Sequence, residues 1–142
     1  MRRRSAVVRH HHRTDLSLTD RSDAARIAAA QAYIDALVSH DGDSVPFAPE
    51  CTRVEQGLKN GFSGNHLRRS LSRGPQYRII QATTTPRFTV RGDEVLAEYA
   101  VLTKFSVAGR RAAARVDETF RIGDDGLIHH IRVRFHPTLV KE

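Results

Sequence analysis

The chain of 142 residues has only one cysteine, Cys51, and no tryptophan. A single cysteine excludes an internal disulfide framework and every paired-cysteine zinc or redox motif. No stretch approaches the roughly 20 apolar residues that a membrane-spanning helix needs, and residues 1–13 lack the apolar run of a secretory signal. With 39% hydrophobic and 27% charged residues, the sequence predicts a soluble, cytoplasmic protein with one core.

The positive charge is concentrated at the N-terminus. Lys and Arg number 23 against 16 Asp and Glu, a net charge of +7, which by itself favours a nucleic-acid partner. Five of the arginines lie in residues 1–13, which contain no acid, and removing them leaves 18 basic against 16 acidic residues. A nucleic-acid role would therefore depend on this segment. We expect residues 1–20 to form a basic, flexible arm, residues 21–138 a single domain and residues 139–142 a tail.

The hydrophobic pattern predicts helices first and strands afterwards. Apolar residues recur at three- and four-residue spacing over residues 22–39, which indicates an amphipathic helix. A shorter helix is predicted between a cap at Ser63 or Asn65 and a stop at Gly74. The predicted extended segments are residues 51–55, 77–90, 95–107, 113–122 and 127–136, and Pro86 is expected to make a bulge or break in the second of them. This order indicates the α+β class, with a curved antiparallel sheet of four or more long strands wrapped around N-terminal helices as a cone-shaped barrel.

A second apolar stripe lies on the outer face of the predicted sheet. Leu96, Ala100 and Leu102 alternate with the residues of the core face on a long predicted strand. An apolar stripe on an outer sheet face usually marks a partner surface. We therefore expect a homodimer that packs sheet to sheet.

Glu118 departs most clearly from the hydrophobic pattern. It shares one strand face with Val116, Phe120 and Ile122, while Asp117 points the other way. A carboxylate among apolar groups is costly unless it is paired or protonated, so its pKa should rise or it must have a partner. Glu118 is therefore either a pocket acid that donates a proton or hydrogen bond, or a glutamate at a strand edge or beside an arginine.

Four further residues are open to two interpretations. Arg53 and Glu55 are two residues apart, so in a strand they point the same way. Facing inward, Glu55 would be a general base held by Arg53; facing outward, both would be surface charges. Tyr33, beside an apolar helix stripe, and Tyr99, inward on its strand, are either core aromatics or functional hydroxyls.

The histidines and the cysteine give weaker signals. His129 and His130 are adjacent on a strand and point to opposite faces, which excludes them as a metal pair. His129 has the parity of Ile131 and would line the inner cavity. Cys51 is interpreted as a buried thiol. Because we find neither metal-ligand spacing nor a phosphate-binding glycine loop nor a Ser-His-Asp signature, we expect no metal and no other cofactor.

Three segments resemble the nuclear transport factor 2-like superfamily of cone-shaped α+β domains. They are YIDALVSHD from Tyr33, FAPECTRVE from Phe47 and DETFRIGDDGLI from Asp117. Their order and spacing extend the resemblance over residues 22–137. The superfamily includes ketosteroid isomerases, polyketide-cyclase-like proteins, limonene epoxide hydrolases and scytalone dehydratase, and the chain is also similar to an actinobacterial branch of it.

The ketosteroid isomerase pattern implies a role for three of these residues. By this resemblance Tyr33 matches the oxyanion-hole tyrosine, Glu55 the catalytic base and Glu118 the protonated acid that shares the oxyanion. The implied chemistry is proton abstraction next to a carbonyl. Both acids are glutamate here, whereas that family has aspartate at both positions.

Two other branches of the superfamily match less well. The epoxide hydrolases need an Arg and an Asp two apart on one strand and an Asp on the last strand, and Tyr99, Val101 and Val133 stand at the matching positions. Scytalone-dehydratase chemistry uses pocket histidines, for which only His129 is a candidate.

The residues and the resemblance together predict a pocket for a hydrophobic small molecule. Its predicted lining is Tyr33, Arg53, Glu55, Tyr99, Glu118 and Phe120, with His129 nearby. As an enzyme the protein would be a cofactor-free isomerase, dehydratase or cyclase that acts on a hydrophobic carbonyl compound. The alternatives are a non-catalytic ligand-binding or dimeric interaction module and, third, a nucleic-acid role of the arginine-rich segment.

Overall fold

The computed structural model describes the backbone of residues 13–142 and the side chains of residues 21–142. The helices of this part are α1 (Arg13–Ser39), α2 (Gly64–Arg73) and α3 (Pro75–Arg78), with a 3₁₀ turn at Gly42–Ser44. The strands are β1 (Phe47–Glu55), β2 (Leu58–Gly61), β3 (Ile80–Thr83), β4 (Arg87–Arg91), β5 (Glu94–Val107), β6 (Arg110–Ile122) and β7 (Ile128–Lys141).

The strands form one curved, unclosed sheet that confirms the predicted α+β class. Its order is β2-β1-β7-β6-β5-β3, and β4 pairs with the other end of β5. Every pairing is antiparallel except that of β1 with β7, which is parallel. The predicted curved antiparallel sheet is thus confirmed, and the structure adds one parallel pair to it. A parallel pair needs a long crossover, and here most of the domain lies between its two strands.

Helix α1 packs its buried stripe against the sheet. Ala30, Ile34 and Leu37 are buried as predicted, whereas Val38 is partly exposed at the edge of the stripe. The helix begins at Arg13 and not at residue 22, so it takes in the end of the segment predicted as an arm. The remainder of that segment, residues 1–12, lies outside the described residues.

Helix α2 has the predicted cap. The Ser63 hydroxyl accepts a hydrogen bond from the His66 backbone N–H at 3.0 Å, which satisfies one of the free donors of the first turn. Leu67 and Leu71 are buried against the sheet. Gly64 permits a close approach, since a Cβ there would lie 2.5 Å from the Ala48 carbonyl oxygen.

Three predicted boundaries differ from the structure. In the segment of residues 77–90 the expected break at Pro86 is present, between β3 and β4. The start of the segment is helical and not extended, because Pro75 begins the one-turn helix α3, as proline at a first helical position favours. Strand β2 forms between Gly57 and Gly64, where no extended segment was predicted. Strand β7 continues to Lys141, so three of the four residues of the predicted tail belong to the sheet.

The outer face of the sheet keeps the predicted apolar stripe. Leu96, Ala100 and Leu102 are each half-buried in the single chain. Within the described part of the chain, no helix combines the length and the apolar character needed to span a bilayer.

Candidate ligand-binding site

A cavity of about 350 Å³ lies between helices α1 and α3 and the concave face of the sheet. This volume is within the range of small-molecule sites. Its apolar walls are Leu37, Ile79, Ile80, Val101, Ala112, Ala113, Ala114, Val116, Val133, Phe135 and Pro137. Its polar groups are Tyr33, Arg53, Glu55, Gln76, Tyr77, Tyr99, Thr103 and Glu118. The interior of the cone is therefore open beside the polar residues that the sequence pattern singled out.

Arg53 lies at the centre of the polar end and is only 5% exposed. Its Nε donates to the Tyr33 hydroxyl at 3.0 Å, and its Nη1 donates to Glu55 Oε1 at 2.7 Å and to Asn60 Oδ1 at 3.0 Å. The guanidinium carbon also lies 5.9 Å from the centroid of the Tyr77 ring. Four groups from α1, β1, β2 and α3 thus hold one buried cation.

Strand β2 explains why Arg53 points inward. Gly61 is the cross-strand partner of Arg53, and a Cβ at Gly61 would lie 2.7 Å from the Arg53 Cβ. The bare glycine therefore leaves room for the arginine. On its other side Arg53 pairs with the buried Ile131 of β7, which fixes the face that the sequence left open.

Glu55 lies at the rim of the polar end, with its side chain 32% exposed. Its Oε1 accepts from Arg53 and, at 3.3 Å, from Asn60 Nδ2. Both bonds use the same oxygen, so among the described residues Oε2 has no protein donor. One carboxylate oxygen is thus used to position the group, and the other is left for a ligand or a proton.

Glu118 is buried on the concave face, as its strand parity predicted, and is 3% exposed. Ala97 and Val133 are its cross-strand neighbours, and the Tyr99 hydroxyl donates to its Oε1 at 2.6 Å. Burial raises the pKa of Glu118 to about 7, although the Arg53 charge and the Tyr99 hydrogen bond act in the opposite direction. Both the acid and the anion are therefore present near neutral pH.

The hydroxyl of Tyr33 is held as a neutral donor. Its ring packs edge-on against Phe47 and Phe120, at centroid distances of 6.1 and 5.4 Å. Burial raises the pKa of Tyr33 well above its ordinary value. Because the oxygen accepts from Arg53, the hydroxyl's own proton is directed to another acceptor, and the hydroxyl of Tyr77 is the neighbour that takes this role in the absence of a ligand.

Two predicted ligand-binding residues lie elsewhere. Phe120 is fully buried behind Tyr33 and is not part of the cavity wall. His129 is not in the cavity either: its Nδ1 bonds Glu50 Oε1 at 2.6 Å and its Nε2 bonds Asp125 Oδ2 at 2.9 Å near the surface. A β-bulge in β7 turns His129 away from the inward position that its spacing from Ile131 predicted. Ile122 pairs with Ile128 but the preceding residue Arg121 pairs with His130, which leaves His129 as the extra residue.

Two further residues of the site, Tyr77 and Asn60, were not predicted from the sequence. Tyr77 is buried in α3 beside Arg53, and Asn60 bonds both members of the Arg53–Glu55 pair. Pro75 could have indicated that Tyr77 lies in a helix, because a proline favours the first position of a helix over the interior of a strand. No pattern in the glycine-rich stretch distinguished Asn60.

Other candidate chemistry is located away from this cavity. Cys51 is buried, as predicted, and burial raises the pKa of its thiol to about 12, which keeps it protonated. In the part of the chain that the structure describes, no group of three His, Cys, Asp or Glu side chains could hold a metal ion.

The comparisons with known proteins agree with this fold. Residues 19–135 match a family described as a domain of unknown function, DUF8021. The chain is similar to the structure of an LEH-like epoxide hydrolase from M. tuberculosis, with a TM-score of 0.65, 22% identity and coverage of 80% of this chain and 84% of the other. No curated protein matches the sequence.

Two similar structures are of proteins described only by their fold. An NTF2-like protein of unknown function from Burkholderia xenovorans has a TM-score of 0.60 and 18% identity, over 80% of this chain and 84% of that one. Another from Cytophaga hutchinsonii has a TM-score of 0.63 and 12% identity, over 80% and 97%. These similarities establish the nuclear transport factor 2-like fold, and at such identities they establish the fold alone.

Proposed function

This chain belongs to the family described as a domain of unknown function, DUF8021, and we propose that it binds a hydrophobic carbonyl compound and catalyses cofactor-free proton transfer on it. The observation that carries the proposal is the burial of the Glu118 carboxyl group, which raises its pKa. A carboxyl group whose pKa is about 7, buried at the wall of a mostly apolar cavity, can give or take a proton at physiological pH.

The proposed roles follow from the hydrogen bonds at the polar end. Tyr33 and the protonated form of Glu118 each have a proton to donate to a carbonyl oxygen, which would stabilise the enolate as its charge develops. Tyr99 orients the Glu118 carboxyl. Glu55 is held by Arg53 through one oxygen, and its other oxygen is our candidate base for the α-proton. The apolar walls would bind the remainder of the substrate and exclude water.

The test is the exchange of α-protons of 2-tetralone for deuterium in D₂O, followed by NMR. We expect the protein to accelerate the exchange, and Tyr33→Phe and Glu118→Gln each to reduce the acceleration at least about tenfold. Phenylalanine has no donor for the carbonyl oxygen, and the glutamine amide is a weaker donor than a carboxyl group and has no proton to transfer. The acceleration should also fall as the pH rises through about 7, since Glu118 then loses its proton.

The control variant is Glu94→Gln. Glu94 is on the outward face of β5, next to the buried Val95, so its loss should leave the exchange unchanged. If the protein does not accelerate exchange, or if Glu118→Gln keeps the full rate, the catalytic proposal is wrong.

A second candidate function is ligand binding without catalysis. It is favoured by the ion pair of Glu55 with Arg53, because a carboxylate and a guanidinium that are held by each other can recognise a polar ligand without any proton transfer. In this case 2-tetralone would raise the melting temperature equally in the wild type and in Glu55→Gln and Glu118→Gln, with no exchange above the uncatalysed rate.

We also propose that the protein forms a homodimer through the outer face of its sheet. Support comes from half-buried Leu96 and from the charges beside it: Asp117 lies on β6, and Arg132 and Arg134 lie on β7. A two-fold axis would place the acidic side of one copy on the basic side of the other.

Leu96→Glu should convert the dimer into a monomer in sedimentation velocity, because it adds a charge at the apolar centre of the interface. Leu58→Glu is the matched control. Leu58 is an exposed leucine of β2, at the far edge of the sheet, and its substitution should leave the mass unchanged. A monomeric wild type at micromolar concentrations would contradict the proposal.

A further inference from the structure

The strands that form the cavity wall continue past the cavity. The pairing of β6 with β7 is regular from Arg110–Lys141 to Arg121–His130, so every second pair shares one face. The pair Ala114–Pro137 lines the cavity, as does Ala112. Leu139, the partner of Ala112, therefore lies on the same concave face just beyond the cavity.

Large apolar side chains are exposed at this end of the sheet. Leu139 is 61% exposed and Val107 is 78% exposed. Val107 pairs with Arg110, which belongs to the same concave face as Ala112. Phe105, which precedes Val107 in the part of β5 where the pairing with β6 is irregular, is 53% exposed. We call Phe105, Val107 and Leu139 the apolar rim.

We propose that the ligand of the cavity is elongated, with an oxygen-bearing end at Arg53 and Tyr33 and an alkyl chain that lies along the apolar rim. This inference rests on the proposed binding of a hydrophobic carbonyl compound. It specifies that compound as a long-chain one.

The shape of the concave face supports this choice of ligand. Ala112 and Ala114 have small side chains, so the path from the cavity to the rim is not obstructed by a large residue of β6. On β6 and β7 the apolar part of the face ends at the pair Arg110–Lys141, two residues beyond Ala112, and on β5 it extends to Val107 in the same row. At about 3.3 Å per residue this adds about 7 Å of apolar surface to the cavity.

The rim fits a chain better than it fits a second protein. Three side chains are far fewer than the 20–30 residues that each partner of a standard interface contributes, at about 800 Å² per partner. The rim is also continuous with the cavity wall, whereas the apolar stripe around Leu96 lies on the opposite face. A ligand in the cavity is thus the occupant that the geometry favours.

The experiment is a binding series of methyl alkyl ketones from 2-hexanone to 2-undecanone, measured by NMR titration. We expect Kd to fall about two- to fourfold for each added methylene, in line with about 0.8 kcal/mol for a fully buried methylene. In Val107→Ser and Leu139→Ser the longest ketones should lose this gain, while 2-hexanone should bind as it does to the wild type. Leu58→Ser, at an exposed leucine away from the cavity, is the matched control.

Two results would overturn the inference. In the first, the Kd of the wild type stops falling once the ketone is as long as the cavity alone can hold, and the rim variants give the same Kd values as the wild type. The second is a change of molecular mass in the rim variants with an unchanged ketone series, which would make the rim a contact between copies. Binding of 2-tetralone, a compact ketone, separates the two proposals, because it depends on the cavity and not on the rim.

Discussion

Glu118→Gln is expected to stabilise the protein by up to about 3 kcal/mol at pH 8 and to leave its stability almost unchanged at pH 4.5. The folded-state pKa of Glu118 is about 7, above the ordinary value of 4.5. Between pH 4.5 and pH 7 the Glu118 carboxyl group keeps its proton in the native state and releases it in the unfolded state. The wild type therefore loses stability as the pH rises from about 4.5 to about 7, and the buried anion imposes the full cost above that range.

The measurement is urea unfolding of the wild type and the variant from pH 4.5 to pH 8. The informative quantity is the difference between the two free energies of unfolding, because the titration of all other groups cancels in it. Glutamine keeps an oxygen for the Tyr99 hydroxyl to donate to, so that packing changes little. A difference that does not vary with pH would show that Glu118 titrates at an ordinary value, and would remove the basis of the proposed chemistry.

Arg53→Met is expected to destabilise the protein by about 2–3 kcal/mol at neutral pH. The substitution removes the bonds to Tyr33, Glu55 and Asn60. Methionine fills part of the space but donates no hydrogen bond. The loss stays below the upper range for buried ion pairs, since the partly exposed Glu55 side chain can be hydrated once its partner is absent.

Arg87→Met is the matched control for this substitution. Arg87 pairs with Glu98, but both side chains are largely exposed, and exposed pairs contribute about 1 kcal/mol or less. Chemical denaturation of both variants at one pH compares their free energies of unfolding. A double-mutant cycle of Arg53→Met and Glu55→Gln gives the coupling energy of the Arg53–Glu55 pair. Equal stability losses for Arg53→Met and Arg87→Met would mean that Arg53 is not a structural centre of the site.

Strand parity predicted Glu118 because β6 is long and its pairing is regular at that position. Many alternating residues on both sides fix which face a side chain occupies. The predicted segment around Arg53 and Glu55 was too short for that, and the decisive information lies in the strands that β1 pairs with. Gly61 on one side and Ile131 on the other determine its orientation, and neither pairing can be read from the local sequence.

His129 and Tyr77 show two further limits of pattern reading. The extra residue His129 in β7 reverses which side chains point inward at the start of the strand. No proline or glycine stands next to His129 in β7 to mark this bulge. Tyr77 follows Pro75 in a segment rich in residues that favour strands, and the tertiary structure makes its first turn helical. The fold class did not depend on either position, because it follows from the order and length of the long segments.

The parallel contact of β1 with β7 has a consequence for how the molecule assembles. Thr52 and His130, neighbours in this contact, are 78 positions apart in the chain. Contacts between such distant segments raise contact order and slow folding. In the native sheet one edge of β1 pairs with β2 and the other with β7. During synthesis the edge that will pair with β7 has no neighbouring strand until β7 leaves the ribosome. The polar end of the cavity is thus one of the last parts of the protein to become native, and nascent chains that lack β7 should be prone to aggregate through that open edge.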